Sequence, residues 1–163
     1  MSTNTTTTNS APSATPKRVA SIRATWAGEH RFDTGKPHGA TARFDGSGET
    51  GQSPVDALLS ALAACSGIDL VDILAKRRTP VQTLAIEVEG ERREEAPRRF
   101  LTIALTYRVD GAGIEAVHAE RAVALAFEKY CSVAASLARD IEVTTTVVVN
   151  GVAGIPARQP IAG

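Results

Sequence analysis

Two side chains carry the most distinctive chemistry in this sequence: Cys65 and Cys131, 66 positions apart. A thiolate is a nucleophile and a redox centre, and two thiols that meet can close and reopen a disulfide. Two cysteines do not make a disulfide-stapled secreted scaffold. Cysteine is also a small apolar residue that fills cores, and on the residues alone both readings stand. Asp69 follows Cys65 by one helical turn, on the same face. A neighbouring carboxylate raises a thiol's pKa, so a reactive Cys65 needs a cation to offset it.

Other candidate chemistries are weaker. His30, His38 and His118 pair neither with one another nor with the cysteines at metal-ligand spacings, so no metal is expected. Gly46-Ser-Gly-Glu-Thr-Gly51 matches G-x-G-x-x-G letter for letter. A dinucleotide fingerprint puts its last glycine inside the helix start, whereas here the helix starts later, at Ser53-Pro54. No G-x-x-x-x-G-K-[ST] occurs, and no cofactor is expected. Arg92-Arg93 and Arg98-Arg99 are interleaved with Glu91, Glu94 and Glu95, which makes a charged loop face and not a phosphate patch.

The elements must bring such residues together. The chain has 163 residues, with 18 basic against 18 acidic side chains. That balance argues against a strongly basic nucleic-acid binder, and the length suits one domain. The most apolar uncharged stretch, 57–68, is shorter than the ~20 residues of a membrane span. The opening MSTNTTTTNSAPSATP has neither a basic nor an apolar region, so it is no secretory signal, and a cytoplasmic location is expected. Residues 1–17 read as a disordered Thr/Ser-rich tail, 18–151 as a single domain and 152–163 as a flexible C-terminal tail.

Strands are expected over 19–26, in the short segment 28–33 and over 40–45. Ser53-Pro54-Val-Asp56 predicts a helix start: Ser53 caps, Pro54 takes the first turn and Asp56 closes a capping box. The helix runs to Lys76-Arg-Arg78, apolar on nearly every face until Asp69, and Thr79-Pro80 stops it. Two period-two strands follow, one with Leu84, Ile86 and Val88 on one face, the next with Leu101, Ile103, Leu105, Tyr107 and Val109. A second long helix is expected from about Ile114, with a stripe of Val123, Phe127, Tyr130, Ala134 and Leu137. Cys131 lies beside the stripe, and Ser132 could cap a fresh segment. A strand over 141–149 and an Asn150-Gly151 turn close the order. Grouped strands predict an α+β fold with antiparallel sheets. One sheet covers only one side of so apolar a helix, so a second copy of the chain is expected on the other.

Gln52 to Val71, with Lys76-Arg-Arg78 beyond, resembles the first-cysteine helix of the OsmC/Ohr family. Glu128-Lys-Tyr-Cys131-Ser-Val-Ala-Ala-Ser-Leu137 resembles its second-cysteine motif, and Trp26-Ala-Gly its N-terminal hairpin. The resemblance spans about residues 19–150 and is closest to the YhfA-like branch, which carries S-P before the helix, C-S/T-x-I-D, and Y-C-S-V. It implies two long central helices, flanking antiparallel sheets and an intertwined homodimer with sites at the subunit interface. It also implies reduction of small hydrophobic organic peroxides, with Cys65 peroxidatic, Cys131 resolving and a dithiol reductant reopening the disulfide. Peroxidase members add a hairpin arginine and a glutamate directly after the helix-start proline. Arg31 is the candidate arginine, with Arg23 and His30 competing. Val55 occupies the glutamate's position, and Asp56 is the nearest acid. That replacement keeps open a second reading, a dimeric binding or stress-response protein with little or no peroxidase activity.

Overall fold

A computed structural model describes residues 19–161. The expected N-terminal tail lies outside the described residues. A small antiparallel meander opens the fold: β1 (Arg23–Trp26), β2 (Arg31–Gly35) and β3 (Thr41–Asp45). Helix α1 (Pro54–Lys76) follows, then β4 (Thr83–Arg92) and β5 (Phe100–Asp110) as a long hairpin. Helix α2 (Ala116–Leu125), a π-helical turn (Ala126–Tyr130) and the one-turn α3 (Ser132–Ala135) lead to β6 (Glu142–Val149). Two short strands finish it: β7 (Val152–Ala153) and β8 (Ala157–Gln159), both paired with β6.

Helix α1 starts as its sequence dictates. Ser53 is the cap, Pro54 opens the first turn, the Asp56 amide donates to Ser53 Oγ, and the Ser53 hydroxyl donates to the Asp56 carboxylate. One flank, Leu62, Ser66, Leu70 and Leu74, is fully buried. Gly67 belongs to the adjoining flank, where a Cβ would stand 2.7 Å from Ile86 Cδ1, so a larger residue would have to push the tip of the Ile86 side chain aside. The opposite flank is bare: Leu58, Ile68 and Val71 are exposed. By length and composition α1, longer than the uncharged stretch 57–68, could cross a membrane. Its buried flank is instead bound to the large sheet and to α2.

The α+β class stands, and three features of the expected layout differ. β5 and β6 are parallel, Thr102 facing Glu142 through Val109 facing Val149, because the α2 segment crosses over between them. The second helix is not continuous but opens into the π turn. Residues 152–159 are not a flexible tail. β8 pairs with β6, and the buried Gln159 donates through Nε2 to Thr145 Oγ1 at 2.8 Å, so the domain extends past 151.

Phe100, Ile103, Leu105, Tyr107 and Val109 of β5 form the buried face with Val143, Val147 and Val149 of β6. Leu101, expected on that face, is exposed. The register passes from Glu91–Thr102 directly to Arg92–Phe100, so Leu101 is the extra residue of a bulge and turns outward. Asn150 and Gly151, both at positive φ, make the tight turn into β7.

Candidate functional site

The two cysteines reach one place by different local routes. Cys65 lies in mid-α1, half-buried, between the covered and bare flanks. Cys131 follows the π turn, in which its amide donates to the Ala126 carbonyl five residues back at 2.8 Å. The widened turn releases residue 131 from the helix, and Cys131, not Ser132, caps α3 by accepting the Ala134 N–H on Sγ at 3.4 Å. Single π turns inside helices often accompany functional sites. α1 packs against both the π turn and α3. The result is a cluster in which Cys65 Sγ, Cys131 Sγ and an Asp69 carboxylate oxygen lie within 4.8 Å of one another.

The surroundings hold the Cys131 proton in place. Burial above all, then the adjoining Cys65, push the Cys131 thiol up to about 12. At neutral pH it is an uncharged thiol. Asp69 is also raised above the ordinary aspartate value, first by burial and then by the charge of Asp72. Its Oδ2 is buried with no hydrogen-bond partner. Behind the cluster, Ser66 Oγ and the buried Tyr107 hydroxyl are 2.6 Å apart, and Ser66 also donates to the Leu62 carbonyl. Burial raises Tyr107 as well, so the phenol stays neutral.

Of the two other expected residues, Asp56 lies away from the thiols and Arg31 pairs with a neighbouring acid. Asp56 is nine residues before Cys65, half a turn out of phase and about 13 Å away along the helix. Its carboxylate accepts from the Ser53 hydroxyl at the cap, so the chain does not bring it to its own thiols. Arg31 lies on β2, where its guanidinium meets Glu29 at 2.8 Å while Nε is buried without a partner. Val55 is half-buried against the core.

The sequence places Asp69 beside Cys65 but not beside Cys131, and it does not show that Tyr107 faces both sulfurs. The available signal was Tyr107, a hydroxyl on an otherwise aliphatic strand face, which needs a partner when buried. Among the described residues no histidine joins the cluster, and a closed zinc site takes four protein ligands. His118 lies 3.8 Å from Glu115 at the surface. Nor does the 46–51 loop cradle a phosphate. The Ser47 and Thr50 amides and hydroxyls all donate to the buried Asp45 carboxylate, so those donors are spent internally.

Residues 46–146, a segment holding both cysteines, match the family described as OsmC-like protein. Protein YhfA of Escherichia coli K12 is 43% identical over 98 residues, which cover 60% of this chain and 73% of that protein. Among solved structures, a hypothetical protein from Aquifex aeolicus VF5 superposes with a TM-score of 0.71 at 29% identity, covering 82% of this chain and 99% of that one. An organic hydroperoxide resistance protein OsmC from Legionella pneumophila shares the fold with a TM-score of 0.58 at 16% identity, covering 80% and 98%. With its two cysteines brought together on this shared architecture, the chain belongs to the OsmC-like protein family.

Proposed function

We propose that this protein reduces organic hydroperoxides with its paired thiols. The observation that carries the reading is the meeting of Cys65 and Cys131 within one cluster despite their separation in sequence. The name of the Legionella protein points the same way for that relative. Cys65 takes the peroxidatic role. It is the more accessible thiol, whereas Cys131 is buried and keeps its proton. Its thiolate attacks the peroxide O–O bond, giving Cys65 sulfenic acid and releasing the alcohol. Cys131 then displaces the hydroxyl as water and closes the disulfide, and a dithiol reductant reopens it.

The protein works as a homodimer in this reading. The bare flank of α1 and β4 frame an open apolar groove of about 660 Å³, lined by Ala63, Ala64, Ile68, Val71, Leu84 and Ile86. A second α1 covers it. Leu58 and Leu59, earlier on the cysteine helix and not fully buried, favour a small hydrophobic peroxide. Asp56 is engaged at the cap of its own helix, so any contribution from it to Cys65 comes across the subunit boundary.

Dithiothreitol-coupled turnover of cumene hydroperoxide tests the activity. The wild type is expected to turn over and Cys65→Ser to be inactive; equal, negligible rates would remove the proposal. Mass spectrometry after one equivalent of peroxide should find an intrachain Cys65–Cys131 link. A second reading, a dimeric binding or stress-response protein, is favoured by one observation: Asp56 is occupied at the helix cap while Val55 holds the glutamate's position. Negligible wild-type turnover together with a stable dimer would establish it over the first.

A further inference from the structure

The resolving half-reaction needs a base. Cys131 is a neutral buried thiol and a poor nucleophile until its proton leaves. Among the described residues, Asp69 is the one carboxylate placed with both sulfurs. It projects from α1 one turn beyond Cys65, and its Oδ2 is buried with lone pairs that no donor occupies. Such an acceptor is an anomaly in a packed protein unless a donor arrives during function.

We propose that Asp69 is the general base of disulfide closure, taking the Cys131 Sγ proton as that sulfur attacks the Cys65 sulfenic acid and passing it to the departing hydroxyl. This rests on the peroxidase reading. The Cys131 S–H and Cys65 S–O bonds break, one S–S bond forms and one water leaves. Cys131 sulfur is oxidised, Cys65 sulfur is reduced, and Asp69 ends as the carboxylate it began as. Separations of up to 4.8 Å are closed by a rotamer change or a single water, and such contacts are often long before substrate arrives.

Burial suits Asp69 to the task. Raising it from the ordinary aspartate value brings a general base nearer its working pH. The titratable groups around it are Cys65 and Asp72 on its own helix, Cys131 at the head of α3 and Tyr107 on β5. Lys76 and Arg77 at the end of α1 and Tyr130 of the π turn line the same cleft of about 450 Å³.

The test is rapid mixing of the full chain with one equivalent of cumene hydroperoxide, with dimedone trapping the sulfenic acid and mass spectrometry counting the disulfide. In Asp69→Asn, sulfenic acid is expected to form within a few-fold of the wild-type rate, and closure to slow by about 100-fold. In the wild type, closure should rise with pH as Asp69 loses its proton, and that limb should vanish in the variant. The asparagine is isosteric and removes a poorly solvated charge, so folding is retained; the wild-type pH profile needs no variant at all.

A parallel measurement uses 5,5′-dithiobis(2-nitrobenzoate). Cys65 releases the first thionitrobenzoate and Cys131 expels the second, so the slow phase reports the same attack without peroxide. Unchanged closure and an unchanged slow phase in Asp69→Asn would overturn the inference while leaving the peroxidase standing. A wild type inert to peroxide yet biphasic with the disulfide reagent, its slow phase dependent on Asp69, would overturn the peroxidase and keep the base.

Discussion

The large sheet and the small one obey the same pairing rules and differ in what their faces touch. On the large sheet, Ile103, Leu105, Tyr107, Val109 and Val143 are buried beneath α1 and α2. The small sheet sets Trp26 opposite Phe32, and both aromatic side chains are exposed. Its internal ties are polar: Arg43 grips Asp33 through two hydrogen bonds, and Asp45 gathers the 46–51 loop. One sheet therefore owns a core, and the other carries apolar surface that one chain does not cover. Three strands with exposed aromatic faces gain little from burial within the single chain, which the proposed dimer would remedy.

The strongest way to break this contrast is to truncate both sides. Leu70→Ala, at a site with no exposure beneath the large sheet, should cost about 2–5 kcal/mol in urea unfolding. Trp26→Ala, despite the larger deletion, should leave unfolding of the dilute monomer nearly unchanged and instead weaken self-association. Equal losses would show that the small sheet has a core of its own. Ile68→Arg sharpens the same point on α1. Ile68 is 63% exposed in the single chain, so a charge there is tolerated by the fold and expelled by a dimer. Sedimentation should show the wild-type dimer become a folded monomer; a wild type that is already a stable monomer sinks the paired assembly.

Tyr107→Phe is a smaller step, at the junction of core and cluster. It deletes the 2.6 Å contact with Ser66, which keeps its bond to the Leu62 carbonyl, so no buried hydroxyl is orphaned. The expected loss is about 1 kcal/mol in the same unfolding assay. A loss as large as that of Leu70→Ala would mean that the hydroxyl pair organises the whole cluster.

What the sequence revealed follows the same division. Local rules were legible: the Ser53-Pro54 start of α1, the alternation of Ile103, Leu105, Tyr107 and Val109, and the Asn150-Gly151 turn. Partners distant in the chain were not. Nothing in residues 142–149 says that they run parallel to β5, since alternation is the same for either direction. β7 and β8 are two and three residues long, below the window in which periodicity can be read. The cysteine pair was legible through its family motifs. Asp69 was legible beside Cys65 by helical spacing, but the approach of Cys131 and Tyr107 to it was not, because helix position fixes a direction but not what the opposing elements set there.

The smallest expected effect lies in the 46–51 loop and tests whether polar ties alone shape the small sheet's edge. Asp45 is buried and accepts from the Ser47 and Thr50 hydroxyls and amides, which hold its carboxyl well below the usual range. A carboxyl lowered on folding contributes stability that is fully present above its unfolded value. That contribution drains away as pH falls through the acid range toward the folded value. Asp45→Ala at neutral pH should therefore speed amide exchange at Ser47 and Thr50 by about tenfold or more while leaving β5 and β6 amides unchanged. The native loop should keep its protection on acidification to about pH 4 and lose it below. Should acid or the alanine release the β5 amides together with the loop, the two sheets would be one cooperative unit, and the contrast drawn from their faces would describe exposure without describing stability.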